Sequence, residues 1–129
     1  MLFRSLVGRL VDRIGWRRVV GSALGVCAAG LLLTFPSSIV TIVIGLAAFT
    51  LANFAGVTAA QVGIAEATDV DRGAASAVFY GMYYASGGVG GYLPGLAWQA
   101  WHWDGIALVG LGVLSVGAVA LLGGRRYDP

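Results

Sequence analysis

Apolar residues fall in four long blocks along this chain, Val19 to Phe35, Ile39 to Ile64, Gly73 to Trp98 and Gly105 to Gly124. No block alternates with the period of two that a half-buried strand needs. Each is long enough to cross a hydrocarbon core about 30 Å thick, which takes about 20 helical residues. The pattern predicts an all-α membrane protein with four transmembrane helices at 19–35, 39–64, 73–98 and 105–124. Residues 1–18 mix apolar and Arg positions, which predicts the end of a preceding helix and then a tight loop. Residues 125–129 form a short polar tail. Pro36 stops the first span and the following Ser residues can cap the second, so the two form an antiparallel hairpin. The second span is long and has room to tilt. Glu66, Asp69, Asp71 and Arg72 mark its exit into water.

Composition and charge sharpen this picture. The chain of 129 residues is 58% hydrophobic and 11% charged, against about 25% charged in an average soluble domain. All eight basic residues are Arg, and all fall on one side of the predicted spans: Arg4, Arg9, Arg13, Arg17 and Arg18, then Arg72, then Arg125 and Arg126. By the positive-inside rule both termini and the 65–72 loop face the cytoplasm. The net charge of +2 is thus a topology signal and no sign of nucleic-acid binding; the partner it implies is the lipid bilayer, with some arginines meeting anionic lipid. The leader is 18 residues long and three further spans follow the first, which argues against a cleaved secretory signal. Cys27, the one cysteine, reads as a small packing residue.

Small residues recur at every fourth position: Gly21, Gly25 and Ala29; Ala52, Gly56 and Ala60; Gly87, Gly91 and Gly95. Each set predicts a flat stripe for close helix approach, which must replace the hydrophobic drive missing between helices in lipid. Pro94 predicts a bend near the outer end of the third span. Trp98, Trp101 and Trp103, with a solvated His102 among them, suit the outer interface.

The most specific string is Gly8-Arg9-Leu10-Val11-Asp12-Arg13-Ile14-Gly15-Trp16-Arg17-Arg18. Gly8 permits close helix contact, Gly15 can take the positive φ of a tight turn, and the arginines hold the segment in the cytoplasm. The string resembles the G-x-L-x-D-R-x-G-basic-basic signature of the major facilitator superfamily, with Trp16 where that family usually has a basic residue. Two further stretches, Gly73-Ala74-Ala75-Ser76-Ala77 with Tyr83-Tyr84, and Gly87-Gly88-Val89-Gly90-Gly91, are similar to the eleventh helix of bacterial efflux permeases of the arabinose-efflux-like or multidrug-efflux-like branch. The resemblance implies helices nine to twelve of a twelve-helix carrier, a partial C-terminal half of that fold, in a bacterial inner membrane. It therefore implies a fragment lacking the N-terminal helices: a truncated gene, a mis-called start or a split transporter. It also implies a cytoplasmic gate built from Gly8, Asp12, Arg13, Gly15 and Arg17, where the Asp12 carboxylate meets a helix N-terminus and nearby Arg.

Polar groups inside a span are expensive and mark candidate sites. Asn53 and Gln61 share one side of the second span with Thr50, and Tyr80, Tyr83 and Tyr84 sit in the third. Asn53, Gln61, Tyr80, Tyr83 and Tyr84 are the candidates for a substrate cavity, since the resemblance places the tenth helix on the central path. Asn53 serves equally as a ligand contact or as a helix-to-helix hydrogen bond; for the tyrosines, packing is the stronger reading. No Asp or Glu lies near the middle of a span, so ion coupling is not legible. The sequence holds no nucleotide-binding string, metal cluster or nucleophile–base pair, so the expectation is a carrier of a small solute, not an enzyme, without a cofactor or metal. Its partners are an unknown small-molecule substrate and either the missing helices or a second copy. The alternative is a free-standing four-helix membrane protein that self-associates as a small transporter or structural module.

Overall fold

A computed structural model describes residues 2–36, 38–67 and 70–124. Met1, Ser37, Thr68, Asp69 and the expected tail 125–129, with Arg125 and Arg126, lie outside the described residues. The chain is all-α: α1 is Leu2–Ile14, α2 Trp16–Leu32, α3 Ile39–Ala67 and α4 Arg72–Gly123. No strand occurs among the described residues. α3 has 29 residues and α4 has 52, and both are long and apolar enough to cross a membrane. α4 is two helices in one run, broken where Trp101 (φ −137°, ψ 16°) and His102 (φ 53°, ψ −135°) leave helical geometry. The 17 residues of α2 are at the short end of the spanning range.

The 1–18 segment is more helical than expected. α1 runs through most of the signature and ends at Ile14, and only Gly15 separates it from α2. Gly15 sits at φ 84°, ψ 145°, a region that a Cβ makes costly. Its N–H donates to the Val11 carbonyl at 2.8 Å while its own carbonyl accepts from Val19 N–H at 3.3 Å. One glycine thus reverses the chain and keeps both helix ends hydrogen-bonded.

α2 and α3 form the core of the structure as an antiparallel pair. On α3 the inner line is Gly45, Phe49, Ala52, Gly56, Ala59 and Gly63, of which Gly45, Ala52, Ala59 and Gly63 are buried. The spacing alternates four and three, the 3.5-residue repeat of a left-handed helix pair. α2 answers with Val19, Ala23, Cys27, Gly30 and Leu31, all buried. A Cβ on Gly30 would come 2.7 Å from the Gly45 carbonyl oxygen, and one on Gly45 would come 2.5 Å from that of Gly30. Backbone meets backbone here, which only glycine permits. The Cys27 thiol donates to the Phe49 carbonyl at 3.5 Å. At the far end Gly63 makes room for the Trp16 ring, which a Cβ would overlap.

The expected stripes therefore need correction. Ala52 and Gly56 lie on the seam, but Ala60 is displaced by Ala59 because the repeat alternates instead of advancing by four. Gly21 faces Leu121 of α4, 3.4 Å from where a Cβ would lie, and Gly25 has nothing within 4 Å. Gly87, Gly91 and Gly95 likewise have nothing within 4 Å, so the third stripe packs against no described helix of this chain. Pro94 stays inside helical geometry, and the break comes at Trp101 and His102.

After that break the chain returns beside α2. Leu31 lies 2.9 Å from where a Cβ on Gly110 would be, and Leu24 lies 3.6 Å from that of Gly117. The indole of Trp103 donates to the Thr34 hydroxyl at 3.2 Å, and that hydroxyl donates to the Leu31 carbonyl at 2.6 Å. Thr34 is buried, so this relay ties the break in α4 to the end of α2. By contrast, residues 73–96 of α4 are exposed apart from half-buried Ala75, Phe79 and Pro94.

Candidate functional site

α3 and the first part of α4 meet near their shared polar link. Gln61 donates through Nε2 to the Tyr80 hydroxyl at 3.2 Å. Gln61, Ile64, Ser76, Phe79 and Tyr80 line a niche of about 150 Å³ there. Helical periodicity builds it: Ser76 and Tyr80 are four residues apart and Gln61 and Ile64 are three apart, so each pair shares a face.

The rings extend from this niche along α4. Phe79 and Tyr83 stack with centroids 6.3 Å apart and planes 23° apart. Tyr80 and Tyr84 stack at 6.4 Å and 26°. Edge contacts join the two stacks, Phe79 to Tyr80 at 5.6 Å and Tyr83 to Tyr84 at 5.7 Å. Aromatic pairs favour such offset and edge arrangements. The result is a two-by-two array of rings, with Tyr84 as its most exposed member at 72%. An array of this kind offers π faces and hydroxyls, with one amide held in place, and no ionised side chain lines the niche.

Of the five cavity candidates the structure joins four: Gln61 with Tyr80 by a hydrogen bond, and Tyr83 and Tyr84 through the rings. Asn53 is placed elsewhere. It lines a smaller pocket of about 70 Å³ with Val20, Leu24, Cys27 and Leu114, between α2, α3 and the last part of α4. Eight residues separate Asn53 from Gln61, which turns the helix by about 80°. Ser76 and Phe79 complete the niche although neither stood out in the sequence. Their spacing from Tyr80 and Tyr83 was the available signal.

The gate candidates are spread over the α1–α2 turn. Gly15 makes the turn itself. Gly8 has nothing within 4 Å of a would-be Cβ, so the close helix contact expected of it is not made among the described residues. Asp12 and Arg13 are exposed, and the Asp12 side chain makes no hydrogen bond or ion pair among the described residues. Arg17 lies over the Trp16 ring, 5.5 Å from its centroid. Its Nη2 is 2.8 Å from where a Cβ on Gly124 would be. A cation there complements the negative end of the α4 helix. The departure at Trp16 has a local explanation, because its ring fills the hollow over Gly63 and supports Arg17.

The family model described as Major Facilitator Superfamily matches residues 1–129. A Bacillus subtilis (strain 168) protein named "Uncharacterized MFS-type transporter YybF" is 30% identical over 102 residues, 79% of this chain and 25% of the relative. A Buchnera aphidicola subsp. Baizongia pistaciae (strain Bp) protein named "Uncharacterized transporter" is 24% identical over 110 residues, 85% of this chain and 27% of the relative. The chain thus spans about a quarter of the length of the curated relatives it matches. No solved structure matches it. With the whole chain matched, and with helices of the expected kind and order, this all-α membrane protein belongs to the major facilitator superfamily.

Proposed function

We propose that this chain serves membrane transport of a small solute, as the helix nine-to-twelve portion of an efflux-type major facilitator carrier in a bacterial inner membrane, with both termini cytoplasmic. The observation that carries the reading is the exposed face of α4 with its ring array and the Gln61–Tyr80 bond, in a chain matched along its full length by this family. Carriers of this kind rock one helical bundle against another around a site near the bilayer midplane. The packed α2–α3 pair supplies a rigid body, and the α4 face supplies polar and aromatic groups for one wall of a path. Further helices supply the other wall. The chain acts as a carrier and not as an enzyme.

Two proteins test this: the 129-residue chain alone, and the chain joined to the preceding helices of its Bacillus subtilis relative. Each is assayed in inverted vesicles against a panel of small solutes. Saturable transport by the joined protein and none by the chain alone is the expected result. Transport by neither would contradict the reading. Robust transport by the chain alone would favour a small self-associating transporter, a reading that the uncovered glycine face of α4 also accommodates.

A further inference from the structure

A second hollow lies away from the ring array. It is an open groove of about 550 Å³ between α1, α2 and α3, walled by Leu6 and Leu10 on α1 and by Leu51 on α3, with Val19, Ser22 and Val26 along α2. Its lining is apolar apart from Ser22, whose hydroxyl is turned to the Val19 carbonyl at 2.9 Å. From Val19 to Val26 it extends about 10 Å along the helix axis.

α1 adds charge beside this groove. Among the described side chains of α1, Val7 and Val11 are the buried ones, and they define the side that packs on Val19 and Ala59. Leu6 and Leu10 line the groove about 100° away around the helix. At 100° per residue Arg13 falls within about 20° of Leu6, and Arg9 falls within about 60° on the same flank. Asp12 falls on the far side, about 120° from Leu6. Both arginines are exposed, and neither side chain makes a hydrogen bond or ion pair among the described residues. Arg13 thus stands three residues past Leu10 toward Gly15, and Arg9 stands level with the Leu6–Leu10 wall, so the apolar groove has two cations along its α1 side.

We propose that this groove binds one anionic phospholipid from the leaflet on the arginine side, with an acyl chain lying along Leu6, Leu10 and Val26 and its phosphate held at Arg13 and Arg9. Acyl chains are as apolar as the groove walls, so the groove fixes the position of a lipid without preferring one headgroup. The choice among headgroups comes from the arginines, each of which attracts anionic lipid near the membrane surface. Long Arg side chains can keep their stems along the apolar wall while the guanidinium reaches the headgroup layer. The inference rests on the place of the chain in a membrane and does not depend on transport.

The test uses the purified full chain, equilibrated with equal amounts of dioleoyl phosphatidylglycerol and dioleoyl phosphatidylcholine. Tails are identical, so only the headgroup differs. Retained lipid is counted by native mass spectrometry. The expected result is one retained phosphatidylglycerol, with the preference falling about fivefold for each arginine replaced in Arg9→Gln and Arg13→Gln. Ser22→Phe, which fills the groove, should abolish retention, while Arg72→Gln, at the start of α4, should leave the preference unchanged. Circular dichroism checks folding; if Ser22→Phe disturbs it, the exposed arginines decide. Equal retention of the two lipids, an unchanged preference in the double arginine variant, or an equal loss in Arg72→Gln would overturn the proposal. A protein helix seated in the groove would give the first of these outcomes.

Discussion

The α2–α3 seam and the first part of α4 are built from the same small residues and end up in opposite states. Along the seam, glycine and alanine are buried, and added Cβ atoms at Gly30 and Gly45 would meet backbone. Along α4, Gly81, Gly87, Gly88, Gly90, Gly91 and Gly95 meet nothing within 4 Å. Glycine content is the same sort of signal in both, so the difference lies in the partner. The seam is complete within the chain and holds it together. The α4 face is uncovered, and next to it stand the rings and the amide. On the function proposed above, cohesion belongs to the α2–α3 seam, and ligand contact belongs to the α4 rings and to Gln61 on a neighbouring face of α3.

Substitutions can break this contrast at its strong end. Gly45→Val should be the most damaging, since its side chain would be driven into the Gly30 carbonyl. Overpacking of this kind costs about 1–3 kcal/mol or more, read as a lowered thermal midpoint of helix loss in detergent. Gly15→Val should cost about 1–3 kcal/mol, because φ 84° has to be kept or the α1–α2 turn has to open. His102→Gly should act in the other direction: residue 102 sits at φ 53°, and glycine there relieves up to about 1–3 kcal/mol of strain, raising the midpoint. Thr34→Val, which removes the acceptor for Trp103, should cost about 0.6–1.7 kcal/mol, the range found for hydrogen bonds between membrane helices. Gly91→Ala should change the stability of this chain by less than about 0.5 kcal/mol. A large loss there would mean that the α4 face is already covered.

Much of this arrangement is legible in the sequence, and its failures have physical reasons. Arg and Pro-Ser punctuation locates the helix ends, since charge and helix stops must lie outside the hydrocarbon. The break at 101–102 falls inside the expected 99–104 loop, where Trp, His and Asp cluster. Gly15 announces its own positive φ. The seam was placed on Ala60 because a four-residue stripe ignores the alternation of four and three in a left-handed pair. Third-span packing was unreadable because stripes record a capacity for contact and say nothing of which helix fills it. The Gln61–Tyr80 pair follows from two polar positions near one link. Asn53 parts from the other cavity candidates because it stands about 80° around α3 from Gln61 and lines a different pocket.

Separation of cohesion from ligand contact is tested most directly by Tyr80→Phe, measured in the joined carrier for solute selectivity and for thermal midpoint together. This change deletes only the hydroxyl that accepts from Gln61. The account predicts that relative transport rates across the solute panel shift by about fivefold, the worth of one hydrogen bond of about 1 kcal/mol, while the midpoint stays where it was. An unchanged selectivity with a lowered midpoint would contradict it and assign the Gln61–Tyr80 bond to holding α3 and α4 together.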